Sequence, residues 1–244
     1  MPTVSFITFC HPPHLERLHS PGVLAEILNS HAYLFNEVIV VHQRCHGLPC
    51  RKIVEVSGVK IYESETWAGN GDYAPILERY GLPANDSVAD EMTHGPSGPH
   101  YWKWHCVNHL IGLDVATSAY IVFGDCDTKM IHQPEGKSWI TEGIHILKAR
   151  PEVFCVSPSD GGGERLTQTM SQQLFLVDAA RMRKGPLGLP WNGQFDAPGG
   201  PFQEYYFLAE GRIGRLLTTK GWYRYVLPDR FRYWHFNPWD PKGV

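Results

Sequence analysis

The chain has 244 residues, 43% hydrophobic and 19% charged, with 22 Lys and Arg against 25 Asp and Glu for a formal net charge of −3. That apolar content excludes a disordered chain, and the near balance of charge excludes a dedicated nucleic-acid binder, which needs an excess of cations to meet phosphates. The length suffices to bury a substantial core, and no apolar run approaches the roughly 18 residues that would predict a membrane-spanning helix.

The first residues, Met1-Pro2-Thr3-Val4-Ser5-Phe6, form no basic, then apolar, then small-residue targeting pattern, so a cytoplasmic location is the expectation. Val4 to Phe9 is a short apolar, β-branched run of the kind that forms a buried strand. It ends at Cys10-His11-Pro12-Pro13, where two prolines break regular structure. A helix is predicted around Pro21 to Asn29, with Val23, Leu24, Ile27 and Leu28 on one face. Glu37 to His42 reads as a second buried strand and Val59 to Tyr62 as a third.

From Trp67 to Pro99 recurrent glycine and proline predict loop. Tyr101 to Leu113 then reads as a helix with Trp104, Val107, Leu110 and Ile111 on its apolar side. The strand Ala119 to Phe123 runs directly into Gly124-Asp125-Cys126-Asp127. The second half is less regular, with possible strands at Val153–Val156 and Gln173–Val177, loops from Gly185 to Pro201, and a helix near Phe202–Leu217. Strands alternating with helices predict a parallel α/β sheet whose strand ends at 8–10, 42–44 and 123–127 share one edge. In open sheets of this kind ligands bind beyond the carboxyl ends of the strands.

Cys10, Cys45, Cys50, Cys106, Cys126 and Cys155 are scattered without a CxxC pair, which fits free thiols in a reducing compartment. A zinc site from His42, Cys45, His46 and Cys50 is the sharper alternative, but its spacing matches no standard zinc pattern. The Gly161-Gly162-Gly163 run suggests a mobile loop and lacks the Lys-Ser/Thr that completes a phosphate-binding P-loop.

Asp125 and Asp127 carry the most chemical information. A buried strand holds two ionised groups only at high cost, so acids at i and i+2 beyond an apolar run belong at the sheet edge. A hard divalent cation with oxygen ligands offsets their repulsion, and a diphosphate can complete its shell. The competing reading is a polar strand end that caps the next turn.

In this order, strand, helix and strand, then a helix and an apolar strand ending in Asp-x-Asp, the chain resembles the GT-A glycosyltransferases, which move a sugar from a nucleoside diphosphate to an acceptor. The resemblance implies an α/β fold: a Rossmann-type, mostly parallel central sheet flanked by helices. It would be a single domain over residues 1–244, with a nucleotide-binding half at 1–130 and an acceptor-side half at 131–244. Phe6-Ile7-Thr8-Phe9 resembles the family's first strand, whose end touches the nucleotide, and this places Thr8, Phe9 and Cys10 at the donor. Glu37 to Val41 resembles its second strand. Lys103, in Tyr101-Trp102-Lys103, resembles the family's basic position facing the donor. Asp127 would bind Mn²⁺ or Mg²⁺ directly, Asp125 would lie nearer the ribose or a metal-bound water, and Cys126 sits between them at the donor. His235 resembles the late histidine that completes the metal shell in many members; without the resemblance it reads as a core histidine among aromatics.

Gly199-Gly200-Pro201-Phe202-Gln203-Glu204 resembles the loop and acid that follow the acceptor site in inverting members, making Glu204 the base for the acceptor hydroxyl. Otherwise Glu204 is a solvated charge in a helix's first turn, and Glu210 is a rival base. Trp191 and the glycines Gly199 and Gly200 are the candidate acceptor contacts. Where many inverting members have a base-reading acid, this chain has His42-Gln43-Arg44, which leaves Gln43 to meet the base.

The implied reaction is metal-dependent transfer, with inversion preferred, from a UDP- or GDP-sugar to a glycan or other hydroxyl acceptor. Two other readings stand beside it. One is a non-catalytic carbohydrate-binding module that uses its aromatics and its Asp pair with Ca²⁺ and binds sugars without nucleotide. The other is a nucleotidyltransferase on a related core, although Cys10-His11-Pro12-Pro13 stands where such enzymes place a Gly-rich, Arg-containing loop.

Overall fold

A computed structural model describes residues 2–10, 22–42, 58–63, 79, 101–171, 173–184 and 209–235. Its strands are β1 (Val4–Cys10), β2 (Glu37–His42), β3 (Val59–Glu63), β4 (Tyr120–Asp125), β5 (Thr128–His132), β6 (Val153–Ser157), β7 (Arg165–Thr167), β8 (Leu174–Asp178), β9 (Tyr223–Val226) and β10 (Arg232–His235). The helices are α1 (Val23–Ser30), α2 (Tyr101–Val115), α3 (Trp139–Ala149), α4 (Ala179–Arg183) and α5 (Ala209–Lys220).

Eight strands form one sheet in the order β3-β2-β1-β4-β8-β6-β9-β7, and β10 and β5 form a separate antiparallel pair. From β3 to β4 every neighbour is parallel. Beyond β4 the sheet is mixed: β8 is antiparallel to both β4 and β6, β6 and β9 are parallel, and β7 returns antiparallel. The expected α/β architecture is thus present, with strands from both halves of the sequence in a single sheet. Residues 202–208 of the predicted late helix lie outside the described residues, and α5 continues to Lys220.

Strand alternation divides the core. On one face Ile7, Phe9, Ile39, Val41, Ile121 and Phe123 pack with Leu110 and Leu113 of α2 and Ile213 and Leu217 of α5. On the other, Val4, Phe6, Val40 and Val122 pack with Leu24 and Ile27 of α1 and Trp139, Ile140 and Ile144 of α3. This two-sided burial explains why β1, β2 and β4 read as continuous apolar runs rather than alternating ones. Helix α3 begins at Ser138, whose hydroxyl accepts from the Ile140 N–H at 3.2 Å.

Register fixes which ends meet. Phe9 pairs with Asp125 and Cys10 with His42, so β1, β2 and β4 end together at the carboxyl edge. At the opposite edge Glu37 accepts from Ser5 Oγ at 2.6 Å, Lys60 Nζ at 2.5 Å and the Thr117 N–H at 3.0 Å, tying three strands and the chain beyond α2. Burial alone would raise its carboxyl pKa; the Lys60, Ser5 and Thr117 hydrogen bonds outweigh it and hold the value below normal.

Candidate functional site

Strand β4 is buried from Tyr120 to Gly124 and half-buried at Asp125, where it meets the open edge. Gly124 makes this end compact: a Cβ there would lie 3.2 Å from both the Phe6 ring and Leu174 Cδ1. The chain then turns through Cys126 and Asp127 into β5. Thr128 closes the turn by donating its hydroxyl to the Asp125 carbonyl at 2.7 Å. The Asp125 N–H donates at 2.8 Å to the carbonyl of Gln173, just before β8.

The β5–β10 pairing brings the far end of the chain to this turn. His235 lies opposite Thr128, one residue beyond Asp127. Its Nε2 stands 3.3 Å from Asp127 Oδ2, with the Asp127 side chain 4% and the His235 ring 35% exposed. Asp125, Asp127 and His235 each present a ligand atom within 4.8 Å of the others. The donor set is two carboxylates and one imidazole, which suits Mn²⁺ well and Mg²⁺ adequately.

Behind the imidazole lies a polar chain that ends in the core. The Gln173 side-chain nitrogen is 3.2 Å from His235 Nδ1, and the Gln173 side-chain oxygen accepts from Tyr233 Oη at 2.8 Å. Tyr233 is 7% exposed. Burial raises its phenol pKa, Asp160 and Asp125 add to the rise, and a Ser171 hydrogen bond and Arg224 oppose it.

No protein-family model matches the chain, and no curated protein matches it in sequence. Among solved structures it is similar to glucosyl-3-phosphoglycerate synthase from Mycobacterium tuberculosis in complex with Mg²⁺ and uridine diphosphate. The identity is 13% and the TM-score 0.51, over 97% of this chain and 72% of that one. The chain has a GT-A fold. Two further matches have lower TM-scores. Mannosyl-3-phosphoglycerate synthase from Rubrobacter xylanophilus has 16% identity and a TM-score of 0.41 over 73% of this chain. A complex of the Mycobacterium tuberculosis synthase with Mn²⁺, UDP-glucose and glycerol 3-phosphate has 14% identity and a TM-score of 0.39 over 73%. The chain spans 53% and 57% of the lengths of those two proteins.

On this GT-A sheet the other expected donor residues are placed as follows. Thr8 is buried, at 1% exposure. The Phe9 ring stacks on His109 at 4.0 Å and on Phe123 at 6.0 Å, and Cys126 is buried in the opposite core, so Phe9 and Cys126 offer a ligand only backbone. Cys10 ends β1 and Lys103 lies in the first turn of α2, with both side chains outside the described residues. Gln43, Trp191, Gly199, Gly200 and Glu204 also lie outside them. The Gly161–Gly163 run, expected to be a mobile loop, is fastened at three amides, which donate to Ser159 Oγ at 3.0 Å, Asp160 Oδ1 at 3.0 Å and Asp229 Oδ1 at 3.1 Å. Among the described residues no helix is long and apolar enough to cross a membrane.

Sequence reasoning passed over Thr128, Gln173 and Tyr233. Each is a single polar residue at a strand end or in a short strand, and only the pairing of β5 with β10 and of β4 with β8 gives them a common address.

Proposed function

We propose that the chain is a metal-dependent glycosyltransferase that moves a sugar from a UDP- or GDP-sugar to an acceptor hydroxyl, with inversion at the anomeric carbon. The observation that carries this reading is the convergence of Asp125, Asp127 and His235 at the carboxyl edge of the sheet. Asp127, the more deeply buried acid, is the direct ligand, and His235 and Asp125 complete the protein's share of the shell. Mn²⁺ or Mg²⁺ held there supplies positive charge to the leaving diphosphate.

The remaining roles belong to the chain itself. The backbone ends of β1 and β4, at Thr8, Phe9, Cys10 and Cys126, border the nucleotide, and Gln43 meets the base. Lys103 adds a cation beside the phosphates. Glu204 removes the acceptor proton as the hydroxyl attacks, which a weak oxygen nucleophile requires. Trp191, Gly199 and Gly200 shape the acceptor side.

A donor screen that follows release of UDP or GDP with Mn²⁺ present tests the reading. UDP-sugars come first, because the Mycobacterium tuberculosis structure of this fold holds UDP. Turnover of at least one sugar nucleotide is expected, and Asp127→Ala should lower it by at least about a hundredfold. Near-normal turnover by Asp127→Ala would overturn the metal assignment.

A further inference from the structure

We propose that Gln173 is a positioning residue that sets the tautomer of His235 through a two-position amide, with Tyr233 as its counterpart; this rests on the metal reading above. The nitrogen of His235 that faces Asp127 is Nε2, at 3.3 Å from Oδ2. A cation at the acidic pair needs the Nε2 lone pair, so the ring proton must then sit on Nδ1. The group waiting at Nδ1 is the Gln173 amide, at 3.2 Å.

With its NH₂ toward Nδ1, Gln173 donates to the ring, and its oxygen accepts from Tyr233 at 2.8 Å. The ring proton is then on Nε2, pointing at Asp127, which is the metal-free arrangement. Turning the amide over about its last torsion puts the oxygen at Nδ1–H and the NH₂ on Tyr233 Oη. A hydroxyl both donates and accepts, so Tyr233 satisfies either orientation, and the two ends of a primary amide occupy nearly the same space. Only the amide oxygen and nitrogen exchange places. The exchange balances: one proton leaves Nε2 for solvent and one is taken at Nδ1, with no net change. Outer partners that orient a ligating histidine in this way commonly govern metal affinity.

The side chain of Gln173 is separable from the fold at this point. Its main-chain carbonyl, not its amide, receives the Asp125 N–H at 2.8 Å and the Thr128 hydroxyl at 3.3 Å. Gln173→Leu therefore removes the selector and leaves the turn anchored.

The test is Mn²⁺ binding, followed by the electron paramagnetic resonance of free Mn²⁺. Gln173→Leu should weaken binding by about 10- to 100-fold in a protein that still unfolds cooperatively above the assay temperature. Gln173→Glu, whose carboxylate accepts from Nδ1–H and from Tyr233 together, should restore it. In the wild-type protein, ¹⁵N chemical shifts should place the His235 proton on Nε2 without metal and on Nδ1 with Mg²⁺. Wild-type protein that binds no Mn²⁺ would overturn the metal reading and this inference together. Wild-type protein that binds Mn²⁺ while Gln173→Leu binds equally well, or a His235 proton that stays on one nitrogen with and without Mg²⁺, would overturn the role of Gln173 alone.

Discussion

His31, at the end of α1, is buried completely among aromatic rings, with Phe6 at 5.3 Å, Phe35 at 5.7 Å and Trp139 at 6.0 Å between centroids. Its Nδ1 accepts from the Trp139 indole N–H at 3.0 Å. Among the described residues its Nε2 has no hydrogen-bond partner. A second proton would create a buried cation with nothing to receive it, and burial lowers the imidazole pKa from 6.5 to about 3. Between those two values the unfolded chain binds a proton that the folded chain refuses. The neutral ring's contribution is complete above about pH 6.5 and declines as pH falls, by about 1.4 kcal/mol per unit. In urea unfolding at pH 7.5 and pH 5.0, the wild-type protein should lose about 2 kcal/mol more than His31→Leu over the same interval. Equal losses would show that His31 titrates normally. Sequence offered no sign of this role, because a histidine's burial depends on rings from β1 and α3 that sit far from it along the chain.

At the scale of elements, α2 lies against β1 through Gly112. A Cβ at this position would stand 2.6 Å from Ile7 Cγ2, a β-branched core atom with little room to turn away. Alanine normally stabilises a helix interior by about 1 kcal/mol over glycine. Here the clash dominates, and Gly112→Ala should destabilise the protein by about 1–3 kcal/mol in chemical denaturation. A gain in stability would mean that α2 stands further from the sheet. How well each element was legible follows from how its burial patterns the sequence. Strands β1, β2 and β4 are covered on both faces, so their apolar runs were plain. Helix α3 was missed although Trp139, Ile140 and Ile144 mark a buried face after the Ser138 cap. Strand β9 was hidden for a firmer reason: of its two buried positions one is Val226 but the other is Arg224, at 6% exposure, and its tyrosines are half-buried, so it shows no simple apolar alternation.

For the molecule as a whole, one sheet holds the parallel strands of the first half and the mostly antiparallel strands of the second, joined where β4 meets β8. The acidic pair was legible because two carboxylates follow an apolar strand directly. Its partnership with His235 was visible only through a family resemblance, because the β5–β10 pairing that brings them together joins distant segments. Gln173 had no local signature at all. The account stands on a cation shared between this corner and a nucleotide diphosphate. Anomalous diffraction at the manganese edge, from crystals grown with Mn²⁺ and UDP, tests it most directly. The account predicts a peak bounded by Asp125, Asp127 and His235 on one side and both phosphates on the other; a nucleotide bound elsewhere, or these three side chains left without metal, would contradict it.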